Sequence, residues 1–244
     1  LSYERTARKR AESLGIAIRP YELDEFAPQA AIEAAIHEVN RDENVHGCLL
    51  FRPLPSFVDE SHMCELLDPK KDIDGITLAS LASVFTDGHA GYPPATAAAC
   101  IQLLDHYQVP LQGKHVVVVG RSLVVGKPVS MMLLRRNASV TICHSKTENL
   151  ADIMRSADVV ICATGRARTF GAQFFGPGQT VLDVGINFDT QGNLCGDVDF
   201  AEVEPVVAAI TPVPGGIGTV TTSVTMAHTV AAAEAALAAR TGRR

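Results

Sequence analysis

The stretch KHVVVVGRSLVVGKPVS, Lys114 to Ser130, carries residue types that can hold a phosphate. An apolar run after the lysine reads as a buried strand, Gly120 breaks it, and a helical segment follows. A dinucleotide-binding unit opens in this way. Strand, tight turn and helix set backbone N–H groups and a helix N-terminus around an anion. The G-x-G-x-x-G spacing is broken, however: Ser122 stands where the second glycine belongs, and Gly126 falls one place late. Arg121 and Ser122 offer instead a guanidinium fork and a hydroxyl. They can supply by side chain what a glycine-rich loop supplies by close backbone approach.

The next strand bears on which nucleotide such a turn would take. NAD enzymes carry an acid about 20 residues past the first glycine, where it binds the ribose hydroxyls. Here VTICHSKT ends in His144, Ser145, Lys146 and Thr147, with no acid. With Arg121 nearby, this suits a 2′-phosphate and hence NADP; the alternative is a polar surface loop after an ordinary strand. ATG (Ala163, Thr164, Gly165) and DVGIN (Asp183 to Asn187) end two further strands on the same edge. Small residues there let a flat ring or a ribose lie close to backbone.

The elements that must position these residues alternate along the chain. YERTARKRAESLG has helical spacing and stops at Gly15, and PQAAIEAAIHEVNRD repeats apolar residues at helical period. IAIRPYEL (16–23) and VHGCLLFRPLP (45–55) read as strands. PPATAAACIQLLDHYQV is a proline-initiated helix bridging to the second unit. From there HVVVVG, ASVTICHS, ADVVICATG and QTVLDVGIN alternate with helical segments, and the alanine-rich VTTSVTMAHTVAAAEAALAAR closes the chain as a helix. The expectation is an α/β protein, with parallel strands in the first part and a doubly wound sheet in the second.

Composition excludes several classes. A net charge of −6 argues against a general nucleic-acid surface. No apolar run reaches the ~18 residues of a membrane span. The six cysteines form no C-x-x-C and lie mostly in apolar runs, so a disulfide framework or a zinc site is not expected and a reducing cytoplasm is. The sequence shows no signal peptide and begins in mid-helix, so an N-terminal piece is expected to precede Leu1.

VVVVGRSLVVGKP, VTICHSKT, DVGIN, GDVDF and ITPVPGGIG occur in this order, with PLP and KKDIDG upstream. Together they closely resemble the 5,10-methylenetetrahydrofolate dehydrogenase/cyclohydrolase family of one-carbon metabolism. The resemblance covers essentially the whole chain. It implies a parallel α/β folate-binding domain over 1–95, a doubly wound Rossmann NADP-binding domain over 96–218, and a C-terminal helix over 219–244 that returns to the first domain. It also implies a homodimer paired through the nucleotide domains, tetrahydrofolate derivatives as substrates, and NADP as cofactor. By residue, it puts Gly120, Arg121 and Ser122 in the phosphate turn, Ser145 at the ribose phosphate and Ile186 on the nicotinamide side; Ala163, Thr164 and Gly165, read above as a close-approach strand end, are expected along the cofactor. Tyr3 matches a tyrosine that stacks on the folate. Asp74, the second acid of KKDIDG, matches the carboxylate that binds the pterin edge. One carboxylate can accept from two adjacent N–H donors. Pro214, Gly215 and Gly216 belong to a loop that closes over the folate.

The sequence departs from the family pattern near the expected reacting carbon. Ala7 stands where the family carries a catalytic lysine four residues after the tyrosine, and Phe51 replaces the glutamine that orients it. Lys9 lies two residues beyond Ala7, roughly 200° around a helix, and so faces elsewhere. Thr219 stands where a proline is common. Hydride transfer needs mainly two rings held face to face. Hydrolysis of the methenyl cation needs proton transfer. The expectation is therefore an active dehydrogenase whose hydrolytic step is weakened. An enzyme that keeps both steps by recruiting Lys9, Arg8 or Arg52, or a regulator that keeps only the fold, remain as alternatives.

Overall fold

The structure, a computed structural model, describes residues 2–242, with side chains from residue 4 onward. The chain forms two compact units, Leu1–Ala95 with Thr222–Arg244, and Thr96–Thr221.

The first unit holds α1 (Ser2–Ser13), α2 (Gln29–Arg41), α3 (Glu60–Leu66) and α4 (Leu78–Thr86). Ile32, Ile36 and Val39 form the buried stripe of α2 and pack with Met63 and Leu67 around α3. Side chains of the connecting loops cap these helices. Lys71 Nζ donates to the carbonyls of Val39, Asn40 and Asp42 at 2.6, 3.0 and 2.7 Å, satisfying the C-terminal end of α2. Asp59 accepts from His62 N–H to open α3, and Thr77 accepts from Ser80 N–H to open α4.

The second unit begins with α5 (Ala95–His106) and continues through β1 (His115–Val119), α6 (Gly126–Arg135), β2 (Ser139–Cys143), α7 (Leu150–Arg155), β3 (Val159–Cys162) and β4 (Thr180–Asp183). A short hairpin, β5 (Asn187–Phe188) and β6 (Leu194–Cys195), precedes α8 (Phe200–Val203), β7 (Ala209–Ile210) and α9 (Ile217–Thr241), the last of which runs on into the first unit's part of the chain. The main sheet is parallel throughout, with order β2-β1-β3-β4-β7. Val116–Val119 of β1 and Val159–Cys162 of β3 are buried along their whole length, as parallel strands covered on both faces must be. The strand order turns back at β1, with β2 on one side and β3 on the other, so the carboxyl end of β1 is the switch point where a ligand crevice belongs.

Two strands expected in the first unit do not form. Residues 16–23 and most of 45–55 have no regular secondary structure and belong to no ladder. Among the described residues the only pairing is one parallel bridge, Cys48 with Asp72, closed by Cys48 N–H on Lys71 O at 2.7 Å. Pro20, Pro53 and Pro55 remove the donors a ladder would need in these segments.

The two glycines of the β1–α6 turn are there for space. Gly120 has φ 133°, and a Cβ on it would lie 2.2 Å from Ala163 O at the end of β3. A Cβ on Gly126 would lie 2.1 Å from Gly120 O. Gly126 thus lets the first turn of α6 close on the end of β1, the role a third fingerprint glycine has in G-x-G-x-x-G, one position later. Gly126→Ala should accordingly destabilise the second unit by roughly 1–3 kcal/mol, the range of overpacking. Chemical denaturation of the two proteins checks this; equal unfolding midpoints would mean that the turn relaxes freely.

Candidate active site

In KKDIDG the two aspartates have separate fates. Asp72 is fully buried and fully engaged: it accepts from Ile76 N–H at 2.9 Å, Thr77 N–H at 2.8 Å and Ser80 Oγ at 2.6 Å, and so folds the turn that leads into α4. Asp74 follows two residues on, and its carboxylate has no hydrogen bond from any described residue. Its backbone is nonetheless held. Ile73 O accepts from His228 Nδ1 at 2.9 Å, Asp74 O accepts from Ala95 N–H at 3.3 Å, and Gly75, at φ 70°, lies so close to Pro93 and Pro94 that a Cβ would meet Pro94 N at 2.4 Å. The His228 ring stacks on Tyr92 at 4.9 Å, and burial pulls its pKa down. Its Nδ1 must carry the proton to donate to a carbonyl. Burial raises the Asp74 pKa to about 6, the charge of Arg52 offsets part of this, and that of Asp72 adds to it. A rigidly held, partly exposed acceptor without a protein donor is suited to a ligand that brings N–H groups.

Around it, Arg52 lies 3.6 Å from Glu60 Oε1, while Glu60 Oε2 accepts from Leu54 N–H at 2.8 Å. Phe51 is 46% exposed. Ala7 is buried on the inner face of α1. Lys9 is exposed and shares a shallow groove with Arg5, Thr6, Arg10 and Ser13, so the two positions do face apart. Arg8 is paired with Glu4 at 2.8 Å. Tyr3 stands in the first turn of α1, but its side chain lies outside the described ones.

In the second unit the loop from Gly120 to Val125 follows β1. Ser122 Oγ accepts from Val125 N–H at 3.1 Å and Ser122 O from Lys127 N–H at 3.0 Å, so the serine caps the entry to α6. Its hydroxyl proton stays free to donate outward. Arg121 is exposed and has no partner among the described residues. After β2, His144 N–H donates to Thr147 Oγ1 at 2.9 Å and Lys146 N–H to His144 Nδ1 at 3.2 Å. This turn is built by its own side chains and leaves Ser145 and Lys146 exposed, with Glu148 the next acid along the chain.

Ala163, Thr164 and Gly165 follow β3, and Ile186 follows β4 with 61% of its surface exposed. The loop Pro212–Gly218 leaves β7. Gly215 has φ 103°, a Cβ at Gly216 would meet Pro212 O at 2.4 Å, and a Cβ at Gly218 would sit 3.8 Å from Ile186 Cδ1. The turns after β1 and β2, Ile186 and the glycine loop are therefore features of one unit, and Asp74 of the other. Sequence reasoning did not single out Asp197, which is fully buried beneath the loops after β3 and β4, nor His228. Burial disfavours the thiolate of Cys48 and Cys100, lifting them to about 11 and about 12, and pushes Cys64, Cys143 and Cys162 up as well.

A doubly wound sheet with a phosphate-type turn at its switch point, joined in one chain to a helical unit presenting an unpaired carboxylate, defines a two-domain α/β enzyme of the dinucleotide-binding class. Comparison narrows the class. Residues 1–74 match the family description "Tetrahydrofolate dehydrogenase/cyclohydrolase, catalytic domain", and residues 94–237 match "Tetrahydrofolate dehydrogenase/cyclohydrolase, NAD(P)-binding domain". The bifunctional protein FolD of Carboxydothermus hydrogenoformans is 48% identical over 236 residues, covering 96% of this chain and 82% of the relative. Among solved structures, the bifunctional FolD of Campylobacter jejuni superposes with a TM-score of 0.93 at 35% identity, over 96% of this chain and 83% of that one. The Trypanosoma brucei FolD, solved with NADP and an inhibitor, gives 0.92 at 32% identity, over 97% and 82%. The chain belongs to the tetrahydrofolate dehydrogenase/cyclohydrolase family.

The raised pKa of Asp74 has a consequence for stability. An acid with a folded pKa near 6 and an unfolded value of 3.8 contributes stability that is fully present below pH 3.8 and is lost as the pH rises through about 6. Asp74→Asn removes the charge, so it should stabilise the fold at pH 8 by about 1–2 kcal/mol, allowing for partial exposure, with the gain vanishing near pH 4. Thermal unfolding across that range checks it; a variant less stable than wild type at pH 8 would contradict it.

Proposed function

We propose that this protein is an NADP-dependent 5,10-methylenetetrahydrofolate dehydrogenase whose cyclohydrolase step is weak or lost. The observation that carries the first half is the unpaired Arg121 at the β1 turn together with the acid-free end of β2. Two phosphate groups need donors there. Gly120, Ser122 and the start of α6 suit the pyrophosphate, and Arg121 and Ser145 suit a 2′-phosphate. Asp74 accepts from the pterin edge. Ala163, Thr164, Gly165 and Ile186 line the nicotinamide half.

Bound NADP supplies the hydride acceptor. The folate's methylene carbon gives up a hydride, and its own nitrogen lone pair stabilises the methenyl cation that results, so the protein's work is orientation and exclusion of water. Asp74 also sets a negative charge in the unit that binds this cation. Hydrolysis requires a base at the cation, and here the side chains argue against one. Ala7 has no ionisable group and Phe51 has no donor or acceptor. Arg8 is paired with Glu4, Lys9 lies on the exposed face opposite Ala7, and Arg52 faces Glu60 at 3.6 Å. The intact phosphate turn and the free Asp74 favour an enzyme over a regulator that keeps only the fold. The six free cysteines, five of them buried, suit a reducing cytoplasm. The exposed Ile142 on the edge strand β2 is compatible with a homodimer paired through the nucleotide units.

Two experiments follow. Arg121→Ala should weaken NADP binding by about 1.5–3 kcal/mol, the worth of a charged hydrogen bond, and weaken NAD binding much less. Equal losses would show that Arg121 does not read the 2′-phosphate. The purified protein should reduce NADP with methylenetetrahydrofolate and accumulate the methenyl product, whose absorbance decays no faster with enzyme than without. The deficit in the second step should be of the order 10²–10⁴, the usual contribution of general acid–base catalysis. Ala7→Lys with Phe51→Gln should restore catalysed decay more than either change alone. Robust catalysed decay by the unmodified protein would overturn the second half of the proposal.

A further inference from the structure

The loops after β3 and β4 are tied to one buried anion. Asp197 Oδ2 accepts from the N–H of Thr164 at 2.5 Å, from Thr164 Oγ1 at 2.9 Å and from Gly165 N–H at 3.2 Å. Its Oδ1 accepts from Arg166 N–H at 2.9 Å and from Asn187 Nδ2 at 3.0 Å. Asp183, the last residue of β4, forms a second layer: it accepts from the N–H groups of Asp197 and Val198, each at 2.9 Å, and of Gly185 at 3.0 Å. Neither layer has slack. A Cβ on Gly185 would lie 2.2 Å from Asp197 Oδ1, and one on Gly196 would lie 1.9 Å from Asp183 Oδ2.

This wiring restricts what the loop can bind. The N–H groups of Thr164, Gly165 and Arg166 are already engaged inward, so the backbone can offer a ligand only carbonyl oxygens and the field of a buried carboxylate. That combination repels phosphate. It suits hydroxyl or amide donors and positive charge. Arg166 and Arg168 are exposed, and Arg168 lies 3.3 Å from Asp189, so water and a counter-ion screen the nearest cations. Strand order gives the ligand its direction. Phosphates at β1 and β2 leave the other half of a dinucleotide to extend over β3 and β4. The nicotinamide ring there is a cation when oxidised and neutral when reduced.

Resting on the NADP reading above, we propose that Asp197 is the positioning residue for the nicotinamide half of the cofactor, and that its buried charge biases the site toward the oxidised form. It touches neither cofactor nor substrate in this scheme. It holds Thr164–Arg166 and Asn187 in register with each other, and it contributes an electrostatic preference that a purely structural residue would lack.

Direct titration of NADP+, NADPH and 2′-phospho-ADP-ribose, which lacks the nicotinamide, tests this without turnover. Wild type should bind NADP+ more tightly than NADPH. Asp197→Asn places an amide N–H₂ against N–H donors and removes the charge. It should weaken NADP+ about tenfold or more and NADPH by about threefold less than that, with 2′-phospho-ADP-ribose within about twofold of wild type. Thr164→Val keeps the charge and removes one hydrogen bond, so it should weaken NADP+ and NADPH by an equal few-fold and spare the fragment. An unchanged NADP+/NADPH ratio in Asp197→Asn, a loss shared by the fragment, or a wild type that prefers NADPH would overturn the proposal while leaving the NADP reading intact. Should Asp197→Asn fail to fold, the wild-type preference and the Thr164→Val pattern decide in the same way. Failure of wild type to bind any of the three ligands would overturn both.

Discussion

A carboxylate taken out of water must be met by donors, and that requirement organises both units of this protein. Asp72, Asp183 and Asp197 are each at most 3% exposed, and each is surrounded by backbone N–H groups of the loop it controls. Among the described residues no buried side-chain nitrogen or oxygen lacks a partner. Leaving one such acceptor unmet would cost about 1–3 kcal/mol, more for a charge. The loops at the strand ends and before α4 are therefore fixed by their acids rather than by long-range packing. A change in any of these acids would release several N–H groups at once.

Against that background the groups that are not engaged by protein stand out. Asp74 is two residues from Asp72 on the same loop, yet among the described residues it has no donor; Arg121 adjoins a capped turn, yet among the described residues it has no acid. Fixed backbone with unmet side chains is what binding sites require. The scaffold bears the cost of ordering in advance, and the ligand supplies the missing partner. The same logic separates the two chemical steps of the family. Holding two rings demands only placed acceptors and a shaped surface. Hydrolysis demands a titratable group at the carbon, and in the proposed reading Ala7 and Phe51 would provide none.

The second unit was readable from sequence because its strands are continuous apolar runs ended by glycine or by polar turns, a pattern that parallel packing dictates locally. The first unit was less so. Residues 16–23 and 45–55 have strand-like composition, but a ladder needs a neighbour in register, and no local pattern encodes whether one exists. Helix α4, LASLASVFT, escaped notice because its apolar stripe is short and its start depends on Thr77 capping Ser80. The sites divide similarly. Arg121, Ser122 and Ser145 follow from the chemistry of a phosphate turn, whereas choosing Asp74 over Asp72 needed the resemblance, since in sequence both are turn acids. Asp197 left almost no signal: most of its partners are groups of a loop some thirty residues away, and only its position beside Gly196, where a side chain has no room, points to it.

The central claim, that Asp74 is a preformed acceptor awaiting folate donors, is tested most directly by its own ionisation. Carbon-13 NMR of the aspartate carboxyls, with Asp74 assigned by its absence in Asp74→Asn, should show a midpoint near pH 6 in the free protein. Saturating folate should move that midpoint down by a unit or more, because donors to a carboxylate favour its charged form. A midpoint near the ordinary 3.8 in the free protein, or one that folate leaves unmoved, would contradict the account.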